Sequence, residues 1–396
     1  MAAIRYPFLI SKESVYSSGD PLRSPCSLQS PCPAKPTILI LTTHTGGGHL
    51  NLAQSLKGML DAQYGVVIVD PQPASVERFY GLVSRHWLNF LQWQYNCTDN
   101  AFISFCLHQS LLPVNYRRLL AIIEHIQPQL IIVTHALLSY AIARANEHLA
   151  KPIPLAFQLT DLGRLHMTWF TVKQANAYLA PTSEIFRQAM EQGIDSKRLH
   201  LTGRPIRRQF LDLPATTRTE TLTALDFDPA VCTLFLQGGA QGSAGADQTL
   251  ERLLSMDLPL QIILATGNNK SMAARYAGVE RVRALPFTEV IAPYMQAADM
   301  IAGKAGASFI SEAFMLEKPF LATSFIPGQE TANLQFIEQH NLGWVRLEAT
   351  AQKELLTSIA SNPALIAAKM DDIRAYKLWN TRANKDICSI IGRLLS

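Results

Sequence analysis

The feature that most restricts how this chain can fold is a unit that recurs along it. Each copy is a short run with a continuous apolar centre, then a loop of glycines and other small residues, then a helix-patterned segment. It is seen at Thr37–Thr43 with His44-Thr45-Gly46-Gly47-Gly48-His49, at CTLFLQ with Gly238, Gly239 and the GSAG that follows, and at ADMIAG with Lys304-Ala305-Gly306-Ala307-Ser308. A run that is apolar at every position cannot leave one face in water, so it reads as a central strand of a parallel sheet covered by helices on both sides. A helix that begins directly after such a strand aims its unpaired first-turn N–H groups at the loop, where they suit a phosphate. VVIVD, LIIVTH, IPLAFQLTDL, AYLAPTSE, LQIILATG and VRALP are further runs of this kind. The fold class is therefore α/β with doubly wound sheets. A chain of 396 residues at 48% hydrophobic favours two domains.

Residues 1–36 hold Pro, Ser and Cys without periodicity and read as a disordered tail, or as the product of a mistaken start codon. The first domain is expected over 37–208, ending at HLTGRP. A linker rich in Thr, Asp and Pro follows over 209–230, and the second domain over 231–370. The last segment, 371–396, is expected as a helix that crosses back onto the first domain.

The stretch from Ala298 to Asn333 gathers polar groups at strand ends. Phe309, Ile310, Ala313 and Phe314 recur at helical spacing and turn one face to the core. Glu312, about two turns in, is placed for a ribose diol, because a carboxylate accepts hydrogen bonds from both hydroxyls. A second strand then ends in Pro327-Gly328-Gln329-Glu330, with Asn333 three residues on, at the carboxyl end where open α/β sheets bind ligands. Strand–turn–helix packing without a ligand would use the same small residues.

In the first domain, His49 closes a triple-glycine loop at a helix start. The helix dipole disfavours the protonated imidazole there, and a neutral His serves as a general base. A His that merely caps the helix is the alternative, and His44 reads as structural. Asp161, His166 and Trp169 follow the strand IPLAFQLTDL. They are assigned to the cleft, as acceptor-site or base-orienting groups; a turn-capping Asp and a packed Trp would leave the same pattern.

The order GKAGAS, the Glu312 helix and PGQE with Asn333, together with TGGGH after the first strand, resembles the inverting, metal-independent glycosyltransferases that include the monogalactosyldiacylglycerol synthases. The N-acetylglucosaminyltransferase of the lipid-linked peptidoglycan precursor is a more distant relative. The similarity runs from about Thr37 to about Trp344. It implies the GT-B type of architecture: two facing Rossmann-like doubly wound domains with a cleft between them, acceptor side first and nucleotide-sugar side second. It also implies a UDP-hexose donor, galactose or glucose, a diacylglycerol acceptor, and no cofactor or metal. His49 would be the base and Asp161 a second catalytic group, with Gly47, Gly48, His166 and Trp169 on the acceptor side. Gly238, Gly239, Gly267, Asn268, Phe287, Lys304, Ala305, Gly306, Ala307, Ser308, Glu312, Gln329, Glu330 and Asn333 would hold the donor. Ala240 stands where the family commonly has a third glycine, and its methyl group narrows access to a phosphate. A UDP-N-acetylglucosamine 2-epimerase and a non-catalytic nucleotide-sugar-binding protein of the same fold are the competing readings.

A net charge of +4 with no long run of Lys or Arg speaks against a nucleic-acid partner. The six cysteines show no C-x-x-C pair, which fits reduced thiols in a cytoplasmic compartment. No apolar run reaches the length of a membrane span, so the expectation is a peripheral protein. Between Phe79 and Leu120 the aromatics Tyr80, Trp87, Phe90, Trp93, Tyr95, Phe102, Phe105 and Tyr116 precede Arg117 and Arg118. That composition suits a segment entering a lipid interface, with anionic lipids as partners, although a helical core pair would use the same aromatics. Asp226-Phe227-Asp228 has the D-x-D form of a metal site, but it precedes a strand instead of ending one.

Overall fold

The structure, a computed structural model, describes residues 35–44, 47–72, 76, 78, 81–84, 87–213, 216–237, 246–256 and 258–396. Nearly all of the expected tail, Phe79 and Tyr80, and Gly238, Gly239 and Ala240 lie outside the described residues.

The apolar runs form two six-stranded sheets whose paired strands are all parallel. The first contains β1 (Thr37–Leu41), β2 (Gly65–Val69), β3 (Leu130–Val133), β4 (Leu155–Gln158), β5 (Ala177–Ala180) and β6 (Leu199–Leu201), in the order β2-β1-β3-β4-β5-β6. The second contains β7 (Cys232–Gln237), β8 (Leu260–Gly267), β9 (Val282–Pro286), β10 (Met300–Lys304), β11 (Phe320–Ser324) and β12 (Gly343–Val345), in the order β12-β11-β10-β7-β8-β9. Alternation along each central strand explains why every position is apolar. Leu39 and Leu41 enter the core on one face of the first sheet, while Ile38 and Ile40 enter the core on the other. In β7, Phe235 and its neighbours Leu234 and Leu236 divide in the same way.

The strand orders set the position of the site. In the first sheet the order reverses beside β1, so a crevice opens between the carboxyl ends of β1 and β3. In the second it reverses beside β7, and the corresponding crevice lies between β7 and β10. The two crevices meet: Ser308, just after β10, donates its hydroxyl to the Gly48 carbonyl just after β1 at 3.2 Å. The domains also touch where Leu162 N–H donates to Asn333 Oδ1 at 3.0 Å and where His340 Nε2 and Glu184 Oε1 lie 2.8 Å apart. Gly163 is required at this contact, since a Cβ there would fall 2.5 Å from the Ala332 carbonyl oxygen.

Two boundary expectations are corrected. Residues 209–230 are no open linker: Phe210, Leu222 and Phe227 are buried in the second domain's core, and the helix Arg218–Ala224 opens with a capping box from Thr217 and Glu220. The few apolar residues decide the matter over the polar majority. At the C-terminus the crossing comes later than residue 371. The helix Met370–Asn380 stays with the second domain through Ile373 and Tyr376, and only the helix Ala383–Leu395 packs on the first, through Ile387, Ile390 and Ile391. Among the described residues no helix is long and apolar enough to cross a membrane.

Candidate active site

His49 is the third residue of the helix Gly47–Leu60 and stands at the first crevice. Its Nδ1 lies 2.9 Å from the Thr134 carbonyl at the end of β3. A carbonyl only accepts, so Nδ1 carries the proton and Nε2 keeps its lone pair. The ring meets His135 edge to face, with centroids 4.6 Å apart. The His49 pKa is lowered to about 4, chiefly by burial, with the cations Arg204 and Lys304 adding to the fall and the Thr134 bond opposing it. Enclosure and the neighbouring cations thus act together in favour of the neutral imidazole. His44 is structural, since its backbone N–H and its Nδ1 both meet Asp70 Oδ2 at 2.7 Å.

Across the seam, the helix Ala307–Met315 begins at Gly306 with no side-chain cap, so its first N–H groups remain available to an anion. Lys304 closes β10 and forms an ion pair with Glu330, whose other oxygen accepts from Ile326 N–H at 2.7 Å. Gly306 lies against that pair, where a Cβ would make only ordinary contact, 3.4 Å from Lys304 Nζ and 3.5 Å from Glu330 Oε1. Glu312 is 4% exposed, and Arg207 forks onto both its oxygens at 2.6 and 3.0 Å. The carboxylate expected at a ribose diol is thus already joined to the segment after β6, and a diol would have to use its remaining lone pairs.

Asp161 follows β4 and meets Thr160 Oγ1 at 3.3 Å and Asn333 Nδ2 at 3.4 Å. Burial raises its pKa, while Arg204 and Lys304 pull it down. The same two cations act on His49 and Asp161, so both groups belong to one electrostatic site. His166 is half-buried, beside Tyr95. It caps the turn Met167–Phe170, accepting at Nδ1 from Thr168 N–H, and its Nε2 lies 3.1 Å from Thr98 Oγ1 and 3.3 Å from the Tyr95 carbonyl. Trp169 is 3% exposed and packs in the first domain's core. Of the competing readings, the packed Trp is the correct one.

Among the expected donor residues, Asn333 is fully buried and donates to the Ala305 carbonyl at 3.1 Å as well as to Asp161, so it braces the domains. Ala305 is buried beside it and Ala307 begins the helix. Gly267 has a left-handed φ of 56° where the β8–β9 register shifts, and Asn268 next to it is exposed. Phe287, just after β9, is 63% exposed, which leaves its ring open to a base. Gln329 is half-buried beside Gly328, whose φ is 82° and whose missing Cβ admits the Tyr95 ring of the first domain. Sequence reasoning did not single out Arg204, Arg207 or Thr134. The arginines sit in TGRPIR, whose Gly and Pro read as a hinge, and Thr134 contributes only its carbonyl.

Two facing doubly wound domains thus carry an imidazole of lowered pKa on one lip of the cleft and an uncapped helix start beside cations on the other. Comparison with known proteins relates each domain to a family. The first domain matches the monogalactosyldiacylglycerol (MGDG) synthase family model over residues 49–206. The second matches the glycosyltransferase family 28 C-terminal domain over residues 233–372. Monogalactosyldiacylglycerol synthase 1, chloroplastic, of Arabidopsis thaliana is 23% identical over 339 residues, covering 77% of this chain and 61% of the relative. Synthase 3 of the same plant is 25% identical over 383 residues, covering 90% and 81%. The chain thus spans under two thirds of the length of some of the synthases it matches. The structure of Anabaena HepE in complex with UDP and glucose shares the fold, with a TM-score of 0.55 at 13% identity over 90% of this chain and 99% of that one. Residues 49–206 thus resemble the monogalactosyldiacylglycerol synthase family and residues 233–372 the family 28 C-terminal domain, on a fold shared with solved glycosyltransferases.

Burial lowers the pKa of His49, His108, His135, His166 and His200 below the usual imidazole value. The unfolded chain therefore takes up protons first as pH falls from about 6.5, and each enclosed group costs up to about 1.4 kcal/mol of stability per pH unit until its folded pKa is reached, whereas solvent screening makes the contribution of half-exposed His200 smaller. The stability is complete above the unfolded value and is lost toward the folded one, about 4 for His49. Thermal midpoints should drop clearly from pH 7 to pH 5. A midpoint that stays level across that range would contradict the neutral, enclosed histidines.

Proposed function

We propose that the protein transfers a hexose, galactose or glucose, from a UDP-sugar to the hydroxyl of diacylglycerol, with inversion at the sugar's anomeric carbon. The observation that carries this reading is the neutral His49, its Nε2 lone pair free of the proton, at a crevice joined to the uncapped start of the helix Ala307–Met315. The acceptor hydroxyl gives its proton to Nε2 as its oxygen bonds to the anomeric carbon. The bond from that carbon to the diphosphate oxygen breaks, and UDP leaves with the electron pair. Lys304 and the helix start meet the charge that develops, so the step needs no metal or cofactor. Asp161 would orient the acceptor or accept its hydrogen bond. The synthases named above supply the acceptor by likeness, and the HepE complex supports UDP as the carrier.

A lipid acceptor also fits the first domain's surface. Trp93 on the helix Leu88–Thr98 is 63% exposed, and Phe102 on the helix Ala101–Ile126 is 74% exposed, with Trp87, Phe90, Ile103 and Phe105 also open to solvent. Tyr95 on the first of these helices reaches the cleft, with its ring 4.6 Å from that of His166 and in contact with Gly328. An apolar face continuous with the cleft would rest on a membrane and admit diacylglycerol from it, with Arg117 and Arg118 toward anionic headgroups. No nucleic acid is needed in this reading.

UDP release should rise with diacylglycerol in mixed micelles; release that ignores the lipid would favour an epimerase or hydrolase. His49→Ala should lower turnover about 10²–10⁴-fold with UDP affinity nearly intact, and parental kcat/KM should keep its acidic limb near pH 4. Near-parental turnover in that variant would move the base to another residue. The protein should co-sediment with anionic liposomes, and high salt should release only part of it. Replacing Trp93 and Phe102 by Glu should abolish the salt-resistant part, and full retention would place the membrane contact elsewhere.

A further inference from the structure

Arg204 follows β6 in Thr202-Gly203-Arg204-Pro205 and is 2% exposed. Its backbone is clamped on both sides by one amide: its N–H donates to Asn380 Oδ1 at 2.7 Å, and its carbonyl accepts from Asn380 Nδ2 at 3.2 Å. Gly203 permits this, with a φ of 85° and no Cβ to strike Asn380. The guanidinium reaches across the seam. Nη1 donates to the Thr160 carbonyl and Nη2 to Ser308 Oγ at 2.7 Å, while Nε is buried with no partner among the described residues.

Neither of those acceptors carries charge. Arg207 is neutralised by Glu312 and Lys304 by Glu330, whereas Arg204 makes no ion pair with any described residue. The carboxylates Asp161 and Glu312 act on this buried guanidinium only through space, without a direct ion pair, and its buried N–H left unpaired adds to the cost of withdrawing it from water. Ser308 is also the second residue of the helix whose N-terminus carries no side-chain cap. The unpaired Nε of the buried guanidinium and the uncapped helix start therefore abut at one point of the cleft, and an anion would supply the acceptors that both lack.

We propose that Arg204 is a ligand of the nucleotide sugar's diphosphate, supplied from the first-domain side of the cleft to a group held by the second. The proposal rests on the UDP-sugar reading above and adds a residue to it. Its chemistry follows from the bond that breaks. As the sugar leaves, the diphosphate oxygen keeps the electron pair and gains a negative charge, and a guanidinium already desolvated beside it answers that charge without reorganisation. Because Arg204 and Ser308 lie on opposite sides of the seam, holding the diphosphate also holds the domains closed.

Calorimetry of the full chain with uridine, UMP, UDP and inorganic diphosphate tests this, with Arg204→Met and Arg204→Lys beside the parent. UDP affinity should fall about 10- to 100-fold in the Met variant, the range for hydrogen bonds to a charged group. Uridine binding should be unchanged, the Lys variant should recover part of the loss, and inorganic diphosphate should compete with UDP in the parent. Unaltered UDP affinity in Arg204→Met, or an equal loss for uridine and UDP, overturns the proposal while the donor reading stands. Inorganic diphosphate that fails to compete overturns it from the parent alone, whether or not the variants fold. A parent that binds neither uridine nor UDP overturns the donor reading and this proposal together.

Discussion

The side-chain amide of Asn333 is fully buried and uses its polar atoms to join the two domains. It accepts from Leu162 N–H and donates to the Asp161 carboxylate and the Ala305 carbonyl. Each of these partners is itself part of a strand-end loop, so one residue fixes the acceptor-side loop after β4 against the donor-side loop after β10. Were the domains to part, the buried groups on both sides would lose these bonds and need water in their place. The close approach of Gly163 to Ala332 and of Gly328 to Tyr95 depends on the same juxtaposition. Catalysis across a cleft needs such a closed state to exclude water from the transfer.

Charge at the seam is arranged around burial. Enclosure drives the proton off His49 and would drive one onto Asp161, and Arg204 and Lys304 reinforce the first effect and oppose the second. The cations thus favour a neutral base and an ionised carboxylate, the pair of states that base catalysis at neutral pH requires. Glu312 and Glu330 in turn hold Arg207 and Lys304 in place. The site is therefore a network in which removing one charge shifts the others.

The fold was legible in the sequence because each central strand is buried on both faces and must be apolar throughout, as Ile38–Leu41 and Leu234–Leu236 are. His49 stood out because glycines before a helix mark a site of close approach, and the structure sets its ring against the Thr134 carbonyl at the first crevice. Other assignments failed where the deciding contact is remote in sequence. Arg204 meets Ser308, 104 residues away, and nothing beside it in TGRPIR signals that partner. Trp169 and His166 follow the same strand end as Asp161, but packing in the core took the one and capping of a local turn took the other. Over 209–230, Thr and Pro suggested a linker, while Phe210, Leu222 and Phe227 decided where the segment packs.

The relation of base, anomeric carbon and leaving diphosphate across the cleft is the centre of this account, and it fixes the stereochemistry of the product. In the proposed reaction a hydroxyl activated at His49 would attack from the side opposite a diphosphate held at the helix Ala307–Met315. The direct measurement is the anomeric configuration, by NMR, of the glycolipid formed from an α-linked UDP-hexose and diacylglycerol. The account predicts a β-linked glycosyl diacylglycerol, and an α-linked product, or none with either UDP-galactose or UDP-glucose, would contradict it.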